Sequence, residues 1–221
     1  MPFVTCRAQD RSPCLGVVDL NGHDLSFCGF TDALPENVEK ELSSYPNACY
    51  YVRSAMPAVF GLGGSKIRAT VCAPFRFEGA AGFAIASPWD GTCIMTNVHS
   101  TATGTVSVAS GTLAFNGGAG WAGESEVSIS GTGKIEVNAG AWGFSGDRDG
   151  RKRRSMVTLS FPEEGKGRLV LNENCEVAEL FVNGVEMPVG SYTKDSLSPY
   201  LEGEGTLHVC GKHPGVLLIV R

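Results

Sequence analysis

Two tryptophans and one charged loop carry the side chains of this 221-residue chain that could bind or act on a sugar. Trp121 and Trp142 end two similar stretches, FNGGAGW and VNAGAW. An aromatic ring offers a sugar an apolar face and a polar edge, so this pair could form a stacking platform. Asp147 and Asp149 precede the basic run 151–154, and carboxylates beside cations could hold or cleave an acidic polysaccharide.

Simpler roles compete with this chemistry at each position. A tryptophan repeated at equivalent places can pack in the core or at a corner, and charged loops usually face water. Asp147, Asp149 and the basic run share one Gly-flanked loop, which does not hold catalytic groups rigidly. We therefore keep Trp121, Trp142, Asp147 and Asp149 as candidate carbohydrate-binding residues and expect no catalytic residue.

The remaining residue types indicate neither a cofactor nor a metal site. The four histidines are scattered, and the sequence contains no zinc-ligand spacing, P-loop, dinucleotide fingerprint or nucleophile motif. With 18 basic and 23 acidic residues the net charge is −5, which argues against a nucleic-acid partner. No apolar run approaches the roughly 20 residues of a membrane-spanning helix.

A repeat between residues 103 and 143 must position the candidate side chains. Its two copies are offset by 21 or 22 residues, and a period of this length is typical of one rung of a parallel β-solenoid. The many glycines, 29 in all, suit the tight corners of such a fold. The residues of the first copy are Val106, Val108, Leu113, Phe115, Asn116, Gly118 and Trp121, which recur as Val127, Ile129, Ile135, Val137, Asn138, Gly140 and Trp142.

The repeat predicts the register of two strand pairs. Rungs of a solenoid stack by parallel pairing, so that equivalent residues become neighbours. We expect Val106 beside Val127 and Phe115 beside Val137. If these segments formed antiparallel hairpins instead, the chain would be a sandwich.

Two pairs of polar residues follow the same period. Asn116 and Asn138 are equivalent, and stacked asparagines can form a ladder of bonded side-chain amides. Cys72 and Cys93 lie 21 residues apart and would stack roughly 5 Å apart on adjacent rungs. The eight cysteines are compatible with disulfides, but for this pair we favour two buried free thiols.

The flanking regions contain a helix signal and two turn signals. Residues 31–45 carry an apolar face with Pro35 in the first turn, which predicts a short helical insertion between rungs. The Asn21-Gly22 pair suits a two-residue hairpin and a solenoid corner equally well. A second such pair stands at 183–184, and the apolar stretch VLLIV at 216–220 predicts a covered strand.

The N-terminal stretch MPFVTCRAQDRSPC has no apolar segment of the kind that secretory signals contain. A solenoid of this type nevertheless suggests an exported protein. We therefore expect that the chain is the C-terminal part of a longer protein and that its N-terminal portion, with a leader, is missing.

Three segments of the chain carry motifs of a known kind. They are VVDLNGHDLSF, then FEGAAGF with the following GTCIMTNVHSTATGTVSVASGTLAF, and finally AELFVNGVEMPVGSYTKDSLSPYLEGEGTLHV. In this order they resemble the LDLNG-x-DLTV rung, the repeating unit and the closing segment of one family, the autotransporter-associated β-strand repeats of bacterial surface and secreted proteins. The resemblance covers well over half of the chain.

What the resemblance implies is an all-β protein folded as a right-handed parallel β-helix with a β-rich C-terminal cap. We expect N-terminal rungs with a helical insertion over residues 1–68, regular repeats over 69–144, and a charged loop with the cap over 145–221, in one continuous domain. The expected function is that of a non-catalytic structural or adhesive module, secreted or at the cell surface. The alternative is a polysaccharide-binding or polysaccharide-cleaving protein with a pectin lyase-like fold.

Overall fold

The fold is built from strands, most of which pair in parallel. The computed structural model describes residues 14–27, 49–63, 70–72, 75–148, 151–153 and 155–212. Within these ranges there is no helix, and accordingly none that is long and apolar enough to cross a membrane. The helix expected over 31–45 and the strand expected at 216–220 lie outside the described residues.

The strands, numbered in chain order, form two large sheets and three small ones. The first sheet contains β1 (Cys14–Asp19), β2 (Leu25–Phe27), β3 (Cys49–Leu62), β5 (Phe75–Ile85), β8 (Val106–Val108), β11 (Glu126–Ile129), β15 (Thr158–Phe161), β18 (Glu179–Val182) and β19 (Val185–Glu186). The second contains β4 (Thr70–Cys72), β6 (Thr92–Thr96), β9 (Thr112–Asn116), β12 (Lys134–Val137), β16 (Arg168–Leu171) and β21 (Leu201–Gly203). The small sheets are β7 (His99–Ser100) with β10 (Gly120–Trp121), β13 (Gly146–Arg148) with β14 (Arg151–Arg153), and β17 (Cys175–Val177) with β20 (Gly190–Tyr192) and β22 (Leu207–Val209).

Successive segments of the chain alternate between the two large sheets. From β5 onward a strand in the first sheet is followed by one in the second, and the two sheets add their strands in the same order. We call each such stretch a layer. Val127 pairs with Val106 and Val137 with Phe115, so the predicted register of the repeat is confirmed.

Apolar side chains form columns that run from layer to layer through the core. In the first sheet the register joins Phe83, Val106, Val127, Leu159 and Leu180 in one row, and all five are at most 2% exposed. A matching row of the second sheet is also buried. Its members are Cys93, Leu113, Ile135, Leu169 and Leu201. Burial of such side chains supplies most of the free energy that holds the layers together.

The asparagine ladder is confirmed and is longer than the sequence predicted. Asn138 donates its side-chain N–H to Asn116 Oδ1 at 2.7 Å, and Asn172 donates in turn to Asn138 Oδ1 at 2.8 Å. Asn172 was not predicted because the interval before it differs from the repeat period. The ladder connects the ends of β9, β12 and β16 in the second sheet.

The two Asn-Gly pairs have the same backbone geometry but different surroundings. Both residues of each pair have positive φ, which Asn and Gly tolerate. At Asn183-Gly184 the pair closes a hairpin, because β18 and β19 run antiparallel. At Asn21-Gly22 it forms a corner, because β1 and β2 both pair in parallel with β3. The flanking strands, not the dipeptide, decide between the two.

The charged loop is a small insertion between layers. The offset between paired residues is 21 from Val106 to Val127 but 32 from Val127 to Leu159, an excess of 11. Strands β13 and β14 pair antiparallel within this extra chain. The insertion is therefore a hairpin, and the parallel register resumes after it.

The predicted stacking of Cys72 on Cys93 is wrong by one residue. The register places Val71 opposite Cys93 and Cys72 opposite Ile94. The interval between β4 and β6 is 22 residues, whereas the cysteines are 21 apart. The register therefore does not stack these two cysteines on each other.

Antiparallel strands close the far end of the fold. β19 lies along β18, and β20 lies along β22 with Ser191 opposite His208. Edges that would otherwise offer unpaired backbone groups are covered in this way.

Replacing Asn138 by Leu should lower the free energy of unfolding by about 1 to 3 kcal/mol, because it removes two ladder bonds and leaves polar partners unsatisfied. Asn172→Leu removes one bond at an exposed position and should cost less. Urea denaturation of both variants measures the difference, and equal stability of Asn138→Leu and the wild type would show that the ladder contributes nothing.

Gly123→Ala should destabilise the fold by more than about 2 kcal/mol, because a Cβ there would lie 1.6 Å from the carbonyl oxygen of Ala102 in the preceding layer. Gly190→Ala is the matched control, since nothing lies within 4 Å of a Cβ at that position. Thermal unfolding of the two variants checks this. A similar midpoint for both would contradict the close approach of the layers at Gly123.

Candidate functional site

The two candidate tryptophans have different environments. Trp121 is fully buried and donates its indole N–H to Ser125 Oγ at 2.9 Å. That hydroxyl donates to the carbonyl of Ala102 at 2.8 Å, and the Trp121 ring packs against Phe77 at a centroid distance of 5.1 Å. The polar end of the indole is thus satisfied inside the core, where no sugar can reach the ring.

Trp142 is half-buried and lies beside a different set of side chains. Its ring meets the His99 ring edge-on, with centroids 5.0 Å apart and an interplanar angle of 81°. A glycine makes this placement possible. A Cβ at Gly120 would lie only 3.0 Å from Trp142 Cβ, so a larger residue there would push the tryptophan away.

His99 lines one pocket together with Tyr51 and Arg76, which come from β3 and β5. Tyr51 pairs with Arg76 in the register of β3 and β5, and His99 pairs with Gly120 in that of β7 and β10. The guanidinium carbon of Arg76 lies 5.5 Å from the centre of the Tyr51 ring, within cation–π range. Arg76 Nε also lies 3.1 Å from Glu78 Oε1, so the two side chains form an ion pair. The geometry at this contact is not that of a hydrogen bond.

The side chains of Tyr51, Arg76 and His99 line a pocket of about 360 Å³. The lining includes Tyr51, Arg76, His99, Asn97 and Gly118. Asn97 adopts a positive φ of 55° and accepts a hydrogen bond from the Gly118 N–H through Oδ1 at 3.2 Å. That turn brings its side-chain amide to the same opening as the imidazole.

The absence of a side chain at Gly118 creates a meeting point for polar atoms. A Cβ built there would lie 3.6 Å from Asn97 Oδ1, 3.8 Å from His99 Nε2 and 3.9 Å from Trp142 Nε1. These distances place an amide oxygen, an imidazole nitrogen and an indole N–H on the same side of the Gly118 backbone. A polar ligand that rests against this backbone could contact them.

The other two candidates lie on the inserted hairpin. The backbone of Asp147 is in β13, opposite Lys152 of β14. Asp149 lies outside the described residues, as does position 154 of the basic run. The described backbone thus places one of the two aspartates opposite a lysine on the neighbouring strand.

Titratable side chains also meet at the C-terminal end. Ser191 Oγ lies 2.9 Å from His208 Nδ1, and Lys212 Nζ lies 2.7 Å from Glu179 Oε2. The hydrogen bond to Glu179 raises the pKa of Lys212 above its ordinary value. These groups are on an open surface. Among the described residues no three His, Cys, Asp or Glu side chains are grouped closely enough to hold a metal ion.

A second cavity of about 400 Å³ lies between the first sheet and the loop 103–105. Pro57, Ala58, Val59 and Ala80 contribute most of its other lining. Its carboxylate, Asp24, accepts the N–H of Val59 through Oδ1 at 2.8 Å. A structural bond thus engages the most polar group of this cavity, so the pocket beside Trp142 is the better candidate site.

Sequence reasoning missed most of the pocket. Tyr51, Arg76 and His99 are separated by 25 and 23 residues, and the partner of His99 follows after 21, so no constant period connects them. The irregularity between Ser54 and Ala58, where the register of β3 and β5 shifts, accounts for part of the drift. Only the folded structure brings these residues to one pocket.

Comparisons with known proteins identify no relative. The chain matches no protein-family model, no curated protein and no solved structure.

Replacing each tryptophan by alanine should separate their roles. Trp121→Ala removes a fully buried ring and its hydrogen bond and should cost about 3 to 5 kcal/mol of stability, as other large core truncations do. Trp142→Ala should cost about 1 kcal/mol, since the ring is only half-buried. Equilibrium urea unfolding measures both values. Equal losses would contradict the assignment of Trp121 to the core and Trp142 to the pocket.

Proposed function

We propose that this chain is a right-handed parallel β-helix that acts as a non-catalytic structural or adhesive module of an exported bacterial surface protein. The observation that carries the proposal is the register: equivalent residues pair in parallel from layer to layer, with apolar columns inside and an asparagine ladder at one corner. Right-handed connections are the rule for parallel strands joined in this manner.

A stack of layers suits a structural role for a physical reason. Each layer contacts only its neighbours, so the outward residues can vary while the inward columns keep the fold intact. On the outer side of the first sheet the register places Ala84, Ser107, Ser128 and Ser160 in one row. Small residues make this surface even, which is compatible with packing against another extended surface.

The motifs of the sequence support export. VVDLNGHDLSF, which resembles a family rung, forms a corner between two strands that both stack on β3. This is the arrangement expected of a rung rather than of an isolated hairpin. A bacterial surface or secreted location and a longer parent protein remain part of the proposal on the strength of that resemblance.

Polysaccharide binding is the second candidate function, and the pocket beside Trp142 favours it. Aromatic rings, a guanidinium and a side-chain amide border one opening, which is the combination that sugars use for stacking and hydrogen bonding. Hydrolysis of a glycosidic bond would require two carboxylates across the substrate. The described residues that line this pocket include neither Asp nor Glu, so the pocket supports binding rather than cleavage.

Surface exposure tests the main proposal. An epitope-tagged chain, expressed within its complete gene in the producing bacterium, should be removed by protease added to intact cells while a cytoplasmic marker survives. Retention of the tag inside protease-treated intact cells would overturn the proposal of an exported module.

The chain should release no product from acidic or neutral polysaccharides, measured as new reducing ends and as absorbance of unsaturated sugar ends. Asp147→Ala combined with Asp149→Ala should change the free energy of unfolding by less than about 0.5 kcal/mol, because charges in such a hairpin contribute little. Turnover by the wild type that is lost in this double variant would promote a polysaccharide-cleaving function instead.

A further inference from the structure

The pocket beside Trp142 has the composition of a site for a charged sugar. Its described lining combines the guanidinium of Arg76 with the imidazole of His99 and the amide of Asn97. The described lining residues offer several hydrogen-bond donors, and none of these residues is acidic. A ligand that brings its own negative charge therefore complements this opening better than a neutral one.

Arg76 is the group suited to hold that charge. Glu78 contacts it at Nε, and the ring of Tyr51 lies on one face of the guanidinium. A guanidinium has five N–H donors arranged for planar, two-point contact with carboxylate or sulfate oxygens, and a single contact at Nε engages only one edge of it. The side chain is about one-third exposed, at 35%, so solvent reaches it.

The opposite end of the pocket suits the sugar ring. An amide oxygen, an imidazole nitrogen and the indole N–H of Trp142 lie 3.6 to 3.9 Å from the position that a Cβ would take at Gly118, so they border the same stretch of backbone. Hydroxyl groups of a sugar can both donate to the oxygen and accept from the indole. The volume of about 360 Å³ is within the range of small-ligand pockets and admits a single sugar residue.

We propose that the pocket lined by Tyr51, Arg76, Asn97 and His99, with Trp142 at its rim, binds one acidic sugar residue. The acidic group, a carboxylate or a sulfate ester, contacts Arg76, and the ring hydroxyls meet the polar atoms around Gly118. This inference rests on the adhesive part of the proposed function and names the chemistry that the adhesion would recognise.

The test is an NMR titration of the folded chain, following the indole N–H signal of Trp142. The probes are methyl glucuronoside and glucose 6-sulfate, which carry ring and charge, methyl glucoside, which carries the ring alone, and sodium acetate, which carries the charge alone. The two acidic sugars should shift the signal with a dissociation constant of about 1 to 10 mM, and the other two should bind at least about tenfold more weakly.

Two variants test the assigned contacts. Arg76→Gln removes the charge and should weaken binding of methyl glucuronoside at least about tenfold. Gly118→Ala fills the meeting point with a methyl group at ordinary contact distances, so the fold should persist while binding falls by a similar factor. Arg53→Gln is the matched control. Arg53 is exposed and forms an ion pair with Asp19 of the neighbouring strand, but it does not line the pocket.

Loss of binding in Arg76→Gln and Gly118→Ala, with binding retained in Arg53→Gln and all midpoints of unfolding near that of the wild type, supports the inference. An unshifted Trp142 signal at ~50 mM methyl glucuronoside, equal shifts with methyl glucoside or acetate, or unchanged binding in both pocket variants overturns it. If the sugars do not bind but protease removes the chain from intact cells, the acidic-sugar site is refuted and the proposal of a surface module is retained. Binding by a chain that stays inside the cell would refute the surface role alone.

Discussion

Parallel register between successive layers is the constraint on which the rest of the structure depends. Each strand must present an inward side chain where the previous layer presents one, because a slip of one residue would turn the apolar row outward. The row from Phe83 to Leu180 satisfies this over five strands of the first sheet. Corners with positive φ, such as those at Gly111 and Gly131, let the chain change direction without breaking the row.

The same constraint places polar side chains in rows. At one corner it produces the ladder of Asn116, Asn138 and Asn172, and on the outer side of the first sheet it brings Arg76 next to Tyr51. In the ladder each side-chain amide is hydrogen-bonded to the amide of another asparagine. The outer row is more varied and borders an opening. Binding groups can therefore come from distant parts of the sequence while the backbone beneath them stays regular.

The fold was predictable from the sequence where layers have equal length. Val106 and Val127, or Phe115 and Val137, could be matched because their repeats contain no insertion. Cys72 and Cys93 could not, because the layer between their strands is one residue longer than their separation. The pocket was harder still to predict from the sequence. Gly118 and Trp142 lie in the recognisable repeat, whereas Tyr51, Arg76 and His99 come from layers whose intervals drift from 25 to 21 residues.

The hairpin of β13 and β14 enters the chain at a corner, and Leu159 still pairs with Val127 after it. The extra residues leave the stack by one strand and return by the other, so their number does not alter the phase of the following layers. Such a corner accepts foreign sequence without a change in the core. A lineage could lengthen, shorten or exchange this segment, and an engineer could graft a peptide there for display beside the stacked layers.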